Sequence, residues 1–218
     1  MTLLAKQLHC CVPLICVNTL EIDKTDGGYK DLLISINQDV PYNETIVENI
    51  KSLLRSSSHF LHRATNGLVY FKHVIINFPN TWPERSRSPS LVFEFVREKR
   101  SYVFVHEWAH FRYGVFDEYG RRDDDKYPLT YCDGKEVSQF CDSSNGVRAH
   151  NPNAPNKQNA VCKKRSTWEV ISENEDFKGL SKPDLSKNIE VSFEETQQRE
   201  DLPQRVVLVL DVSISMDL

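Results

Sequence analysis

The chain has 218 residues, 39% of them hydrophobic and 27% charged, with a formal net charge of −4. That length holds one domain with a sizeable core, or one domain and a fragment. The mildly acidic balance excludes the basic stripe of a nucleic-acid-binding protein, and no run reaches the ~18 apolar residues of a membrane-spanning helix.

Residues 1–17 place Lys6 ahead of an apolar stretch that contains Cys10, Cys11 and Cys16. Read as a secretory signal peptide, this stretch has a short apolar core interrupted by His9 and Pro13, and no alanine-type cleavage site. A signal peptide and an unstructured N-terminus both stay open. Residues 31–37, DLLISIN, are apolar and bounded by Gly27-Gly28 and Pro41, which predicts a buried strand. Asn43-Glu44-Thr45 is an N-glycosylation sequon, so Asn43 is a candidate modification site of a secreted glycoprotein. Ile46, Ile50, Leu53, Leu54, Phe60, Leu61 and Ala64 recur at helical spacing and predict a helix over 44–64. Asn66-Gly67 ends it, and the β-branched and aromatic run 68–78, LVYFKHVIINF, predicts a strand. Strand, helix, strand implies a parallel crossover and hence an α/β sheet. His73 fits a half-buried strand histidine better than a ligand. Residues 79–89 read as a loop with Arg85 and Arg87 on a solvated face, and 91–96 as a further strand.

The predicted helix over 99–113 carries His106-Glu107-Trp108-Ala109-His110. Positions i and i+4 share one helix face, so His106 and His110 point the same way and can reach one Zn²⁺. Glu107 sits beside the first of them, where a carboxylate can take a proton from metal-bound water. Gly114 tolerates positive φ, so the chain can double back and offer Asp117 as a third protein ligand. Three protein ligands leave a fourth position open, as in catalytic rather than structural zinc sites.

The stretch HEWAHFRYGVFDEY, residues 106–119, resembles the metallopeptidase motif of the calcium-activated chloride channel regulator (CLCA) family, His-Glu-x-x-His-x-x-x-Gly-x-x-Asp-Glu. The resemblance implies zinc ligands His106, His110 and Asp117, with Glu107 as the catalytic acid/base. It implies an α/β, metzincin-like zinc-peptidase domain with a twisted sheet and an active-site helix. The motif has one more residue before its glycine than metzincins have. The methionines are Met1 and Met216, so no Met-turn follows. The stretches 79–101 and beyond Asp117 look shorter than in the family. The former would supply the edge strand on which a substrate peptide lies by β-augmentation.

After the helix, RRDDDK at 121–126 reads as a solvated charged turn. Cys132, Cys141 and Cys162 lie in polar sequence, which suits an oxidising compartment, with Cys132–Cys141 the expected local bridge. The STWEV segment at 166–170 also resembles the family, and Ser166 or Thr167 can cap a short helix there. Residues 172–204 are polar, contain Pro183 and read as a linker. The apolar run 205–210 ends in Asp211-Val212-Ser213-Ile214-Ser215. This Asp-x-Ser-x-Ser pattern resembles the metal-ion-dependent adhesion site that opens a von Willebrand factor type A domain. Asp211, Ser213 and Ser215 would hold Mg²⁺ or Ca²⁺ only if the rest of that domain were present.

The expected organisation is therefore a signal-like segment 1–17, a metallopeptidase-like domain over 18–171, a linker over 172–204 and an incomplete von Willebrand A strand over 205–218. The expected function is zinc-dependent peptide hydrolysis, outside the cell or at its surface. The resemblance adds regulation of a calcium-activated chloride channel as partner. The alternative is a non-enzymatic extracellular regulator or adhesion module that keeps a residual peptidase motif.

Overall fold

The computed structural model describes residues 20–83, 98–119, 125–126, 140–143 and 149–197. The expected strand at 91–96, the signal-like segment, most of the RRDDDK turn, Cys132 and the run bearing Asp211, Ser213 and Ser215 lie outside the described residues.

The described fold is mixed α/β. Strands β1 (Glu21–Asp23) and β2 (Gly28–Lys30) pair antiparallel, and β2 pairs parallel with β4 (Tyr70–Phe71). Strand β3 (Leu32–Ser35) pairs parallel with β5 (His73–Phe78), which pairs parallel with β6 (Ser192–Gln197). The two three-stranded sheets share one register: Gly28 lies opposite Tyr70, and Leu32 opposite Val74, the same offset. They part at Asp31, which takes φ 58° between β2 and β3, and at Lys72, between β4 and β5. The expected strand 68–78 is therefore two strands broken at Lys72. Lys72 still donates its amide to Tyr29 O at 2.9 Å and accepts from Ser192 N at 3.0 Å.

Helix α1 (Glu44–Ala64) connects β3 to β4 and β5 and has the expected bounds. Asn43 caps it, its Oδ1 accepting from Thr45 N, and Gly67 at φ 84° follows its end. Its buried stripe is Val47, Ile50, Leu54 and Leu61, continued by Ser57 and Ser58. Ser58 Oγ bonds both Phe71 O (2.9 Å) and Phe71 N (3.0 Å), which satisfies strand groups that the break in β4–β5 leaves open.

Helix α2 (Glu98–Tyr113) lies against α1 and β4. Its buried face is Phe104, Val105, Trp108, Ala109 and Tyr113. Trp108 is wedged edge-on between Tyr29 and Phe71, with ring centroids 5.4 and 5.1 Å away. Tyr102 is exposed.

Short helices α3 (Lys157–Val161) and α4 (Thr167–Ser172) follow. Ser166 caps α4 in a full capping box with Glu169, so the STWEV segment starts a helix as its residues predict.

The segment expected as a linker is the main correction. Residues 175–177 form a 3₁₀ turn with Asp176 buried, Ile189 enters the core, and β6 adds a parallel strand along the whole of β5. The polar composition of 172–204 hid this because β6 is an edge strand with mostly exposed side chains, held by backbone pairing. Among the described residues no helix is long and apolar enough to cross a membrane.

Candidate metal centre

The buried face of α2 fixes its rotation. With Trp108 and Ala109 turned inward, His106 and His110 fall together on the half-buried flank, while Glu107 is exposed. Just past the helix, Gly114 adopts φ 68° and Gly114 N bonds His110 O at 3.2 Å. A side chain there would meet nothing within 4 Å, so the glycine is required by the backbone angle and not by crowding. The chain turns back, Val115 is buried, and Asp117 arrives beside the two imidazoles.

The three residues named from the sequence are brought together: one ligand atom from each of His106, His110 and Asp117 lies within 4.8 Å of the others. The closest approaches are His106 Nε2 to His110 Nε2, 3.0 Å, and Asp117 Oδ1 to the same two nitrogens, 3.1 and 3.2 Å. A tetrahedral zinc with bonds of about 2.0–2.1 Å spaces its ligand atoms by about 3.3 Å, so this triangle is one face of such a site, drawn in by a few tenths of an ångström.

The donor chemistry fits a cation as well. His110 Nδ1 lies 2.8 Å from Val115 O, an acceptor only, so that nitrogen carries the proton. In the neutral ring, Nε2 then presents a lone pair toward Asp117 Oδ1, which is itself buried without a hydrogen-bond donor. Two acceptors aimed at each other call for a positive charge between them, a proton or a metal ion. Fixing a histidine tautomer through a backbone carbonyl is how ligating imidazoles are commonly oriented.

The charges follow from this geometry. Burial of the His110 ring alone would lower its pKa, but Asp117 and the Val115 carbonyl outweigh it and the pKa is raised. Burial alone would raise that of Asp117, and the two imidazoles hold it well below the usual carboxylate range. Glu107 Oε1 lies 4.0 Å from His106 Nε2 and its side chain is 64% exposed, open to solvent and to anything that docks there.

Further residues complete the surroundings, some inside the quoted motif and some far along the chain. Tyr119 OH lies 3.3 Å from His106 Nε2, and its ring stacks on that imidazole, as does the ring of Tyr102. Glu118, next to Asp117, is buried. Its Oε1 accepts from Thr167 N (2.6 Å), and its Oε2 sits 2.6 Å from His150 Nδ1. At the helix end Arg112 meets Asp176 with two bonds of 2.6 Å, and Tyr29 OH donates to the same carboxylate at 2.6 Å. Glu118 stood in the quoted motif, but nothing local signals that Asp176, sixty-four positions away and in polar sequence, belongs to this helix.

Elsewhere, His73 is a half-buried strand residue with Nδ1 2.6 Å from Asp31 Oδ1, as expected. Asn43 is exposed, its Oδ1 also accepting from Thr45 Oγ1 at 2.8 Å. Cys141 and Cys162 are both disulfide-bonded; the expected partner of Cys141, Cys132, is outside the described residues.

The sequence matches the family model described as "Calcium-activated chloride channel N terminal" over residues 22–94, 94–135 and 130–183. Curated relatives include calcium-activated chloride channel regulator 1 of Mus musculus, 28% identical over 89% of this chain and 32% of the relative. The Homo sapiens regulator 1 is 27% identical with the same coverage, and the Homo sapiens regulator 4 is 27% identical over 74% of this chain and 29% of the relative. The chain thus spans about a third of the length of these relatives. The mouse match runs over 305 residues, more than the 218 present here, so the relative carries residues inside the matched span that this chain lacks. No solved structure matches. A family model that covers residues 22–183 almost without interruption, and includes the entire His106–Asp117 cluster, places this chain in the calcium-activated chloride channel regulator family.

Proposed function

We propose that this chain carries a zinc-peptidase site of metzincin-like design, in which His106, His110 and Asp117 hold the metal and Glu107 is the acid/base that hydrolyses a peptide substrate. The observation that carries the reading is the convergence of two imidazole nitrogens and one buried carboxylate oxygen within 3.0–3.2 Å. A bound zinc ion supplies Lewis acidity and a water whose pKa falls to about 7. The chain's own residues do the rest. Val115 O keeps the His110 proton on Nδ1, and Asp117 contributes the negative charge. Glu107, exposed beside His106, takes up a proton and returns it to the leaving amine.

A second reading draws on the relatives, whose names make them regulators of a calcium-activated chloride channel. In it the domain takes part in regulating such a conductance by binding a partner, with no cleavage. Both readings place the chain in a secreted or cell-surface setting, which the two disulfide-bonded cysteines and the exposed Asn43 sequon support. In the same proposal, the peptidase-like unit extends past residue 171 to include Asp176 and β6. Asp211, Ser213 and Ser215 open a von Willebrand A domain and contribute to its Mg²⁺ or Ca²⁺ site.

Glu107→Gln separates the readings. Under the enzyme reading it retains one zinc per chain and loses at least about 100-fold in peptide cleavage, the usual contribution of a general base. Under the regulator reading, wild-type protein with stoichiometric zinc cleaves no member of a diverse peptide library, and Glu107→Gln leaves partner binding unchanged.

A further inference from the structure

We infer that Gln158 is a positioning residue for Asp117, holding the returning chain in its metal-binding place before any metal arrives; this rests on the zinc reading of the site given above. Gln158 is fully buried at the start of α3. Its side-chain Oε1 accepts from Phe116 N at 2.8 Å, and its own backbone N donates to Asp117 O at 3.2 Å. One residue therefore grips two peptide units of the return, Val115–Phe116 through Phe116 N and Asp117–Glu118 through Asp117 O. Its remaining amide group is also engaged, Nε2 donating to Arg165 O at 3.1 Å, so the side chain cannot rotate away without leaving polar atoms unpaired in the interior.

Other backbone groups of the return are tied as well. Val115 O takes the His110 ring, and Glu118 O accepts from Asn156 Nδ2 at 2.9 Å. From Val115 to Glu118 every residue of the return thus has a backbone group tied down, two of the ties coming from Gln158. With that backbone fixed, only the rotamer of Asp117 is left to be chosen when the metal binds. That removes most of the backbone ordering cost of recruiting a carboxylate from a loop. The two histidines are on a helix packed against the core and need no such help. Asp117 is the ligand that lies beyond a glycine turn, and it is the one given a dedicated clamp.

The experiment uses the full 218-residue chain, stripped of metal, with zinc affinity read by competition against a chromophoric chelator and site geometry read from the visible spectrum of the Co²⁺-substituted protein. Gln158→Met keeps the volume and removes the acceptor of Phe116 N. Zinc binding is expected to weaken about 10–100-fold, as for outer-shell partners generally, with an altered Co²⁺ band. Gln158→Glu keeps that acceptor oxygen and loses only the Nε2 donor to Arg165 O, so it should hold zinc more tightly than Gln158→Met. Ser58→Ala removes an equally buried hydrogen-bonding residue that makes no bond to the Asp117 return and should destabilise the fold without changing zinc affinity.

If wild type binds zinc and Gln158→Met binds it equally well, or if Ser58→Ala loses as much affinity, the positioning role is wrong. If wild type binds no zinc, the underlying metal reading fails instead. Should Gln158→Met not fold, hydrogen exchange on zinc-free wild type decides. The Phe116 amide is expected to be protected without metal, whereas protection that appears only on adding zinc overturns the inference.

Discussion

Asp176→Ala is the most demanding test of how α2 is anchored. Arg112 and Asp176 are both nearly buried, with side chains 10% and 6% exposed, and they meet in a two-pronged pair of 2.6 Å bonds. Tyr29 donates a third bond to the same carboxylate and shares a 2.8 Å hydroxyl contact with Tyr113. Truncating Asp176 leaves a guanidinium buried without its counter-charge and a tyrosine hydroxyl without its acceptor. Breaking one side of such a pair costs about 3–5 kcal/mol. Native proteins have about 5–15 kcal/mol in total, so the variant should sit near the edge of folding. For a chain of this size, that loss lowers Tm by about 6–20 °C. Urea denaturation followed by circular dichroism and by tryptophan fluorescence measures it. The double variant Arg112→Met/Asp176→Leu, which replaces the pair with apolar side chains, should recover most of the loss, because a buried ion pair contributes little over a well-packed apolar substitute. An Asp176→Ala loss below about 1 kcal/mol, the scale of an exposed pair, would mean that water reaches Arg112 and that this contact does not anchor the helix end.

Further outcomes follow from the same geometry. Gly114→Ala places an L side chain at φ 68° in open space, so it should cost about 1–2 kcal/mol from backbone strain alone and weaken zinc binding by displacing Asp117; an unchanged denaturation midpoint would argue against the left-handed turn. Ser166→Ala removes the α4 capping box and should destabilise by about 1 kcal/mol in the same assay. His62 is buried with Nε2 unpartnered; burial, then the nearby Lys187 charge, holds its pKa below the ordinary value of 6.5. The unfolded chain then binds the extra proton. The contribution is full above about pH 6.5 and is lost as pH falls through the folded-state value, so midpoints should decline from pH 7 toward 5 and His62→Leu should flatten that slope. Chelation should lower Tm of a zinc-loaded sample, with about 2.7 kcal/mol at stake when free zinc is 100 times its Kd, and His110→Ala should remove the zinc dependence altogether.

The local parts of the molecule were legible because their causes are local. The repeat from Ile46 to Ala64 pointed to α1, and Ser166 or Thr167 offered a cap for α4, a role the fold gives to Ser166. His106, His110, Gly114 and Asp117 span twelve residues, and a helix followed by a glycine turn is enough to bring their side chains together. What was missed is non-local. Polar sequence from 172 to 204 read as a linker because an edge strand like β6 is held by backbone bonds that any sequence can make. The break at Asp31 and Lys72 left no mark in a run that alternates well enough for one long strand.

By itself the sequence determined which atoms can take a metal, since ligand type and short-range spacing are properties of the chain's own covalent geometry. Only the tertiary structure decided what holds those atoms still. Gln158, Asp176 and His150 come from far along the chain to fill buried polar positions, and a buried donor or acceptor must find a partner wherever the fold brings one.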